Sequence, residues 1–308
     1  MKKHFIILGV VIILFISLEI FLRSYYGFCD SVLMEEDPDF EYIAQPNQTR
    51  FRFRNLILYN SKSMRSAEVD TTASIFLGFG DSVINGGVQT AHDSLATTLL
   101  CDMLTKQYGA KVQFLNISAG SWGPDNCYAY LKKYGNFGAK SIFLFVSSHD
   151  AYDNMTFEKI VDIHESFPSK QYTLALHELV SRYLFPRIKK TVKTDHTGIN
   201  KKQMDSIFNT GFSSFFDYSK EMKIPLIIYL HADREELMDN SYNEQGQEII
   251  RFANENNIPI ILDLEKGLEL SDFRDNIHLT NSGQKKLAEL VLTELLLCYQ
   301  KIKHAALP

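Results

Sequence analysis

A three-layer α/β/α domain on a five-stranded, mainly parallel sheet is the fold the sequence predicts, with one transmembrane helix ahead of it. Three observations predict it. Apolar runs without clean alternation recur from residue 71 onward. Amphipathic stretches of helical length separate them. A lone apolar segment of near-membrane length opens the chain. Strands that lack alternation are buried on both faces, and strands separated by helices imply parallel crossovers.

The elements follow in order. "SIFLGF" (74–79) reads as the first buried strand. "DSLATTLLCDMLTKQYG" (93–109) reads as an amphipathic helix closed by Gly109. "KVQFLNIS" (111–118) is strand-like, and "DNCYAYLKKYG" (125–135) is helical with Gly135 as its stop. "KSIFLFVS" (140–147) is the third strand. A helix around 211–222 precedes the fourth, "IPLIIYL" (224–230). "EQGQEIIRFANENN" (244–257) is helical, "IPIILDL" (258–264) is the fifth strand, and a helix over 281–302 closes the domain. The rhythm breaks between about 154 and 210, an insertion predicted to hold one helix stopped near Pro186. The basic "RIKKTVK" after it reads as a solvated loop. Residues 26–70 read as a connector with short extended pieces, and the domain runs from 71 to 304. A ligand is expected at the carboxyl ends of the strands.

The N-terminal segment, residues 1–25, carries Lys2 and Lys3 and then an almost unbroken apolar stretch from Phe5 to Leu22. That length is near the minimum for a spanning helix. Bulky Phe21, Leu22, Tyr25 and Tyr26 stand where a cleavage site would need small residues, so a signal anchor is the preferred reading over a cleaved signal peptide. Lysines before the span and Asp30, Glu35, Glu36 and Asp37 after it place the body outside the cytoplasm, periplasmic or extracellular. Glu19 lies near the far end, where it reaches the interface at modest cost.

Net charge is −5 and the pI about 6.0, which argues against nucleic acid as a partner. Cys29, Cys101, Cys127 and Cys298 form no C-x-x-C pair. Export would permit disulfides, but three pairings fit, and buried free thiols are the simplest reading. No Walker, dinucleotide or H-E-x-x-H pattern occurs, so neither a metal nor a nucleotide cofactor is implied.

The chemistry gathers at strand-to-helix crossings. Ser82, in "FLGFGDSVINGG", falls just beyond the first strand. A hydroxyl nucleophile needs a base, and the base needs an orienting acid. "SDFRDNIHLTNSG" supplies both, Asp275 and His278, after the last strand and before the last helix. Alone, a serine after Gly-Asp is usually a helix cap, and a loop Asp or His is usually structural. Asp81 reads as an acid that braces the turn. His231 and Asp233 follow the fourth strand, and His231 reads as a partly exposed loop histidine with no part in the chemistry.

The ordered blocks "GFGDS", "NISAGSWG", "SSHDAYDN" and "DNIHLTNSG" resemble those of the SGNH (GDSL-like) hydrolase superfamily over residues 71 to 304. The first and last blocks are the specific ones. Ile84 stands where a G-x-S-x-G elbow would have its second glycine, which argues against an ordinary α/β-hydrolase. The resemblance implies a flavodoxin-like sheet. It also implies that Ser82 attacks an ester carbonyl, that His278 accepts its proton, and that Asp275 holds the imidazole. It assigns the oxyanion hole to the backbone N–H groups of Ser82 and Gly120 and to a side chain of the third block. That block departs from the family's G-x-N-D. Here His149 replaces the asparagine and is expected to donate in its place, with Asn154 and Asn85 as nearby substitutes. Asn85, Trp122 and Asn154 are candidate substrate contacts, Trp122 being equally readable as a packed core aromatic.

The reading that follows is a membrane-anchored serine esterase acting through an acyl-enzyme, with an acetyl ester of an extracytoplasmic carbohydrate as the expected substrate. An O-acetyltransferase using the same triad, a lipase or thioesterase acting on lipid, and a non-catalytic component with an envelope protein partner are the alternatives.

Overall fold

The computed structural model describes residues 2–185 and 207–305, with side chains as far as residue 296. Pro186, the basic run 187–193 and the Cys298 side chain lie outside the described residues. Helix α1 (Lys2–Tyr26) opens the chain. Two antiparallel hairpins follow, β1 (Met34–Asp37) with β2 (Glu41–Ala44), and β3 (Gln48–Arg52) with β4 (Asn55–Tyr59).

Five parallel strands form the main sheet: β5 (Ser74–Gly80), β6 (Val112–Ser118), β7 (Ser141–Ser147), β8 (Leu226–His231) and β9 (Ile260–Leu262). Their order is β6-β5-β7-β8-β9. That is a doubly wound order whose direction reverses between β5 and β7, and such a switch point opens a crevice at the strand ends. Residues of β6 and β7 are buried throughout, which is why these strands show no alternation in sequence.

The helices are α2 (Ser82–Asn85), α3 (Ala96–Tyr108), α4 (Pro124–Tyr134), α5, α6 (Gly211–Met222), α7 (Arg234–Asp239), α8 (Glu244–Glu255) and α9 (Asn281–Ala305). In α5 an α-helical turn, Ala175–Glu178, continues as a π-helical stretch, Leu179–Leu184. Side chains alternate across the sheet. Leu77, Phe79, Leu144 and Ile228 pack toward α4, α6 and α8, through Leu131, Phe215 and Ile249. Phe76, Phe114, Phe143 and Tyr229 pack toward α3 and α9, through Leu100, Leu104, Leu287 and Val291. These are the three expected layers.

Residues 26–70 are more than a connector. Phe40, Tyr42, Ile57, Tyr59 and Met64 are buried in the same cluster as the sheet. Short strands of four or five residues leave little periodic signal, so sequence reading finds only extended pieces. The last strand is also shorter than expected, because Asp263 turns the chain into a 3-10 turn at Asp263–Lys266. Cys29, Cys101 and Cys127 are free thiols.

Candidate active site

The loop after β5 is forced into a sharp turn. Asp81 caps α2, its Oδ1 accepting from the Val83 N–H at 2.8 Å. This satisfies one of the donors a helix start leaves free. Ser82 is thereby held as the first residue of α2, at the carboxyl edge of the sheet.

The loop before α9 arrives at the same edge. His278 Nε2 lies 2.9 Å from Ser82 Oγ. Its Nδ1 lies 2.9 Å from both oxygens of Asp275. A nitrogen facing two carboxylate oxygens carries the proton, which leaves Nε2 to accept from the serine hydroxyl. Asp275 also accepts from the backbone N–H groups of Ile277 and His278, at 3.1 and 2.8 Å. Burial pushes this carboxyl up, but these N–H groups and the His278 ring outweigh it and hold it below the ordinary aspartate range.

The His278 loop is fixed from beneath by a second pair. His231 is buried, 1% exposed. Its Nδ1 lies 2.6 Å from Asp263 Oδ2, and its Nε2 lies 2.8 Å from the Ile277 carbonyl. Both partners are acceptors, so both ring nitrogens carry protons and the ring is an imidazolium. Burial disfavours that charge, yet the Asp263 carboxylate and the two hydrogen bonds outweigh it and raise the His231 pKa. Asp263 is itself held by the Ala232 N–H at 2.8 Å. The partly exposed loop histidine expected here is therefore corrected. β8 runs one residue further than expected and carries His231 into the interior.

His149 takes a different position from the rest. It follows β7, and its ring is 47% exposed. Its Nε2 lies 3.9 Å from Asp81 Oδ2 and 3.7 Å from Asp150 Oδ1. Asp150 is buried, its Oδ2 accepting from the Ser147 N–H at 2.6 Å and its Oδ1 without a hydrogen-bond partner. The Asp150 charge, followed by those of Asp81 and Asp153, raises the His149 pKa against burial. Burial in turn pushes the Asp150 carboxyl far above the aspartate range. The two groups behave as one pair that keeps a proton near neutrality. Asp81, His149 and Asp150 are also a set whose ligand atoms converge within 4.8 Å, close enough to hold a metal ion. A protonated ring between the two acids balances the same charges without one.

Ser82, Gly120, Asp275 and His278 line one cleft of about 310 Å³. Val32, Met34, Ala44 and Phe167 form its apolar walls, and Arg182 and Arg274 are its cations. A larger hollow of about 400 Å³, between Asp162 and His177, has no hydroxyl hydrogen-bonded to a histidine among the described residues, so the chemistry points to the smaller one. His149 is not among the residues lining the Ser82 cleft.

Three candidate substrate contacts fall differently than expected. Asn85 borders the cleft, but its Oδ1 accepts from Tyr59 and its Nδ2 donates to the Ser118 carbonyl and hydroxyl. Its amide is spent on structure. Trp122 is 1% exposed, donates to the Tyr42 carbonyl and packs edge-on to Phe40, so it is a core aromatic. Asn154 donates to the Tyr152 and Ile207 carbonyls and borders another hollow, with Glu41 and Ser121. Arg182 and Arg274 were not singled out by sequence reading. Arg274 has a signal, since it directly precedes Asp275, whereas Arg182 reaches the cleft from the insertion and has none.

No family model matches the chain, and no curated protein matches it. Solved structures do. A two-domain esterase active on acetylated mannans matches at TM-score 0.42 and 11% identity, over 72% of this chain and 49% of that one. This chain spans about half the length of that esterase. TesA matches at TM-score 0.44 and 13% identity, over 72% of this chain and 98% of its own. AlinE4, an SGNH-hydrolase family esterase, matches at TM-score 0.38 and 13% identity, over 79% of this chain and 100% of its own. The fold rests on the sheet order above and not on these loose likenesses.

Proposed function

We propose that this chain is a serine ester hydrolase of SGNH type. One observation carries the reading: the unbroken hydrogen-bonded chain from Asp275 through His278 to Ser82, opening into a cleft. In the proposed reaction Ser82 Oγ attacks the ester carbonyl carbon as its proton passes to His278 Nε2. Asp275 steadies the imidazolium that forms. The same proton then goes to the leaving alcohol as the acyl-enzyme appears, and water reverses the sequence to release the acid. The backbone N–H groups of Ser82 and Gly120 are the proposed oxyanion donors. His149 is kept as an electrostatic contributor: a protonated ring beside Asp81 places positive charge one residue from the nucleophile.

A small cleft with an apolar wall supports a short acyl group, acetyl above longer chains. A carbohydrate ester is the proposed substrate. Transfer to a sugar hydroxyl is the alternative outcome of the same acyl-enzyme. The proposed setting is the outer face of a membrane, with α1 as the anchor. In support, Glu19 and Arg23 of α1 bond to the insertion. A cleaved signal peptide would take those partners away.

The test uses the full chain in detergent with p-nitrophenyl acetate and longer esters, beside Ser82→Ala. Ser82-dependent release, fastest for acetate, is expected. Equal rates in parent and Ser82→Ala would sink the hydrolase reading and move the weight to a non-catalytic envelope component.

A further inference from the structure

Helix α5 is turned inside out for a helix at a water-facing surface, where charged residues belong outside. Its inward face carries Glu178, which is buried and ion-paired with Arg52. The same face carries Arg182, whose guanidinium donates to Ser31 Oγ at 3.0 Å. Its outward face is apolar. Val180, Leu184 and Phe185 are 45%, 44% and 53% exposed, and Leu174 at the helix start is 45% exposed. His177 and Ser181 are the polar residues of that stripe, the Ser181 hydroxyl donating to the His177 carbonyl at 2.7 Å.

This helix starts against the far end of α1. Glu19 accepts from the Ala175 and Leu176 N–H groups at 2.7 and 3.0 Å, capping α5 from another element. Arg23 donates to the Thr173 carbonyl at 2.6 Å. Leu22 and Phe28 pack on Ala175, with Leu176 and Leu179 at the edge of that contact. The start of α5 thus lies against the end of α1, a helix whose exposed apolar side chains include Ile13, Leu14 and Phe21.

We propose that α5 is a second lipid-contacting element, seated in the outer interface of the bilayer beside α1, with Val180 and Leu184 toward the acyl chains. The proposal rests on reading α1 as a membrane anchor. Continuity with α1 selects the bilayer as occupant. Four side chains are also a small patch beside the roughly 800 Å² per partner that a stable protein interface buries. A ring such as His177 suits this depth, having an apolar body and a polar tip.

The arrangement has a consequence for the substrate. Arg182 reaches the Ser82 cleft from the inner side of this same helix, and Val32 and Met34 reach it from the chain just beyond α1. The cleft is therefore held close to the bilayer surface. Esters presented at that surface, on lipid-linked or surface-bound molecules, are the class it is placed to meet.

The test is quenching of tryptophan emission by brominated lipids. The full chain is reconstituted in phosphatidylcholine–phosphatidylglycerol vesicles with and without brominated acyl chains. Val180→Trp and Leu184→Trp are the test variants. Phe15→Trp marks the span, Met222→Trp marks an exposed site at the opposite edge of the sheet, just before β8, and the parent's buried Trp122 gives the baseline. Quenching of Val180→Trp and Leu184→Trp as steep as that of Phe15→Trp, with Met222→Trp and the parent unaffected, is the expected result. Quenching of Phe15→Trp alone overturns the proposal and leaves the face to water, a second copy or a protein partner. No quenching of Phe15→Trp means that the anchor reading has failed, and the proposal fails with it. Quenching of Met222→Trp overturns it as well, because lipid contact would then not be particular to α5.

Discussion

Ser82 owes its place to its neighbours. Asp81 caps the turn, His278 reaches Ser82 Oγ from the far end of the chain, and His231 holds the Ile277 carbonyl one residue before His278. His231→Gln should therefore do two things. It leaves the buried Asp263 without its cation, a loss of about 3–5 kcal/mol that denaturant unfolding of the chain would read. It also alters the pH dependence of stability. The folded pKa of His231 is raised above its ordinary 6.5. The stabilisation is thus fully present below about pH 6.5 and is lost as pH rises through the raised folded value. The parent should weaken through that alkaline window, and the variant should lose much of the slope, part of the remainder belonging to the His149–Asp150 pair, whose pKa values are also raised. Asp275 works the other way. Its depressed pKa keeps it ionised through mildly acidic pH, so the acid limb of the proposed esterase activity should follow another group and persist in form when the profile is measured down to the ordinary carboxylate range. Sequence reading named Ser82, Asp275 and His278 because each type is chemically distinctive at a strand-to-helix crossing. It missed the roles of His231 and Asp263 because a histidine before a loop gives no sign of its burial.

At the scale of elements, the long strands and helices of the sheet were legible because burial on both faces leaves continuous apolar runs. The hairpins of residues 34–59 were not, since strands of four or five residues carry too few positions to show a period. Close approaches between elements were also hidden. Gly211 opens α6 directly against α4, and a Cβ there would sit 2.2 Å from the Pro124 carbonyl carbon. That neighbour is backbone and cannot step aside. Gly211→Ala should cost about 3 kcal/mol as α6 is pushed off α4, measured as a fall in the denaturation midpoint at unchanged m-value. The π-helical turns of α5 belong to the same class of feature. They bring Arg182 to the same inward side as Glu178, from a stretch whose sequence suggests only an ordinary helix.

The whole molecule joins its N-terminal helix to its domain without a flexible tether. Arg52 of β3 donates to the Gly27 carbonyl at 2.8 Å and to Tyr183 at 2.8 Å, and it pairs with Glu178 out of water. Its guanidinium also lies 4.6 Å from the centre of the Phe28 ring. One buried cation thus ties a hairpin, the root of α1 and the insertion together. Glu178→Ala should strand that charge and destabilise this junction by about 3–5 kcal/mol. Hydrogen exchange should then rise first at residues 27–31 and 175–184, with the sheet still protected. Uniform loss of protection across the sheet would mean that the junction is part of the global core instead.

By itself, the amino-acid sequence determined the layered α/β class, the apolar N-terminal helix and the identities of the three residues now found hydrogen-bonded together. Those follow from local burial patterns and residue chemistry, which a linear reading registers. Tertiary structure alone decided the strand order, the packing of residues 26–70 into the core, the burial of His231 and Trp122, and the outward apolar face of α5. Each depends on what stands across from a residue in space. Two segments as far apart as Ser82 and His278 meet only because the chain crosses the sheet between them and returns to the same edge.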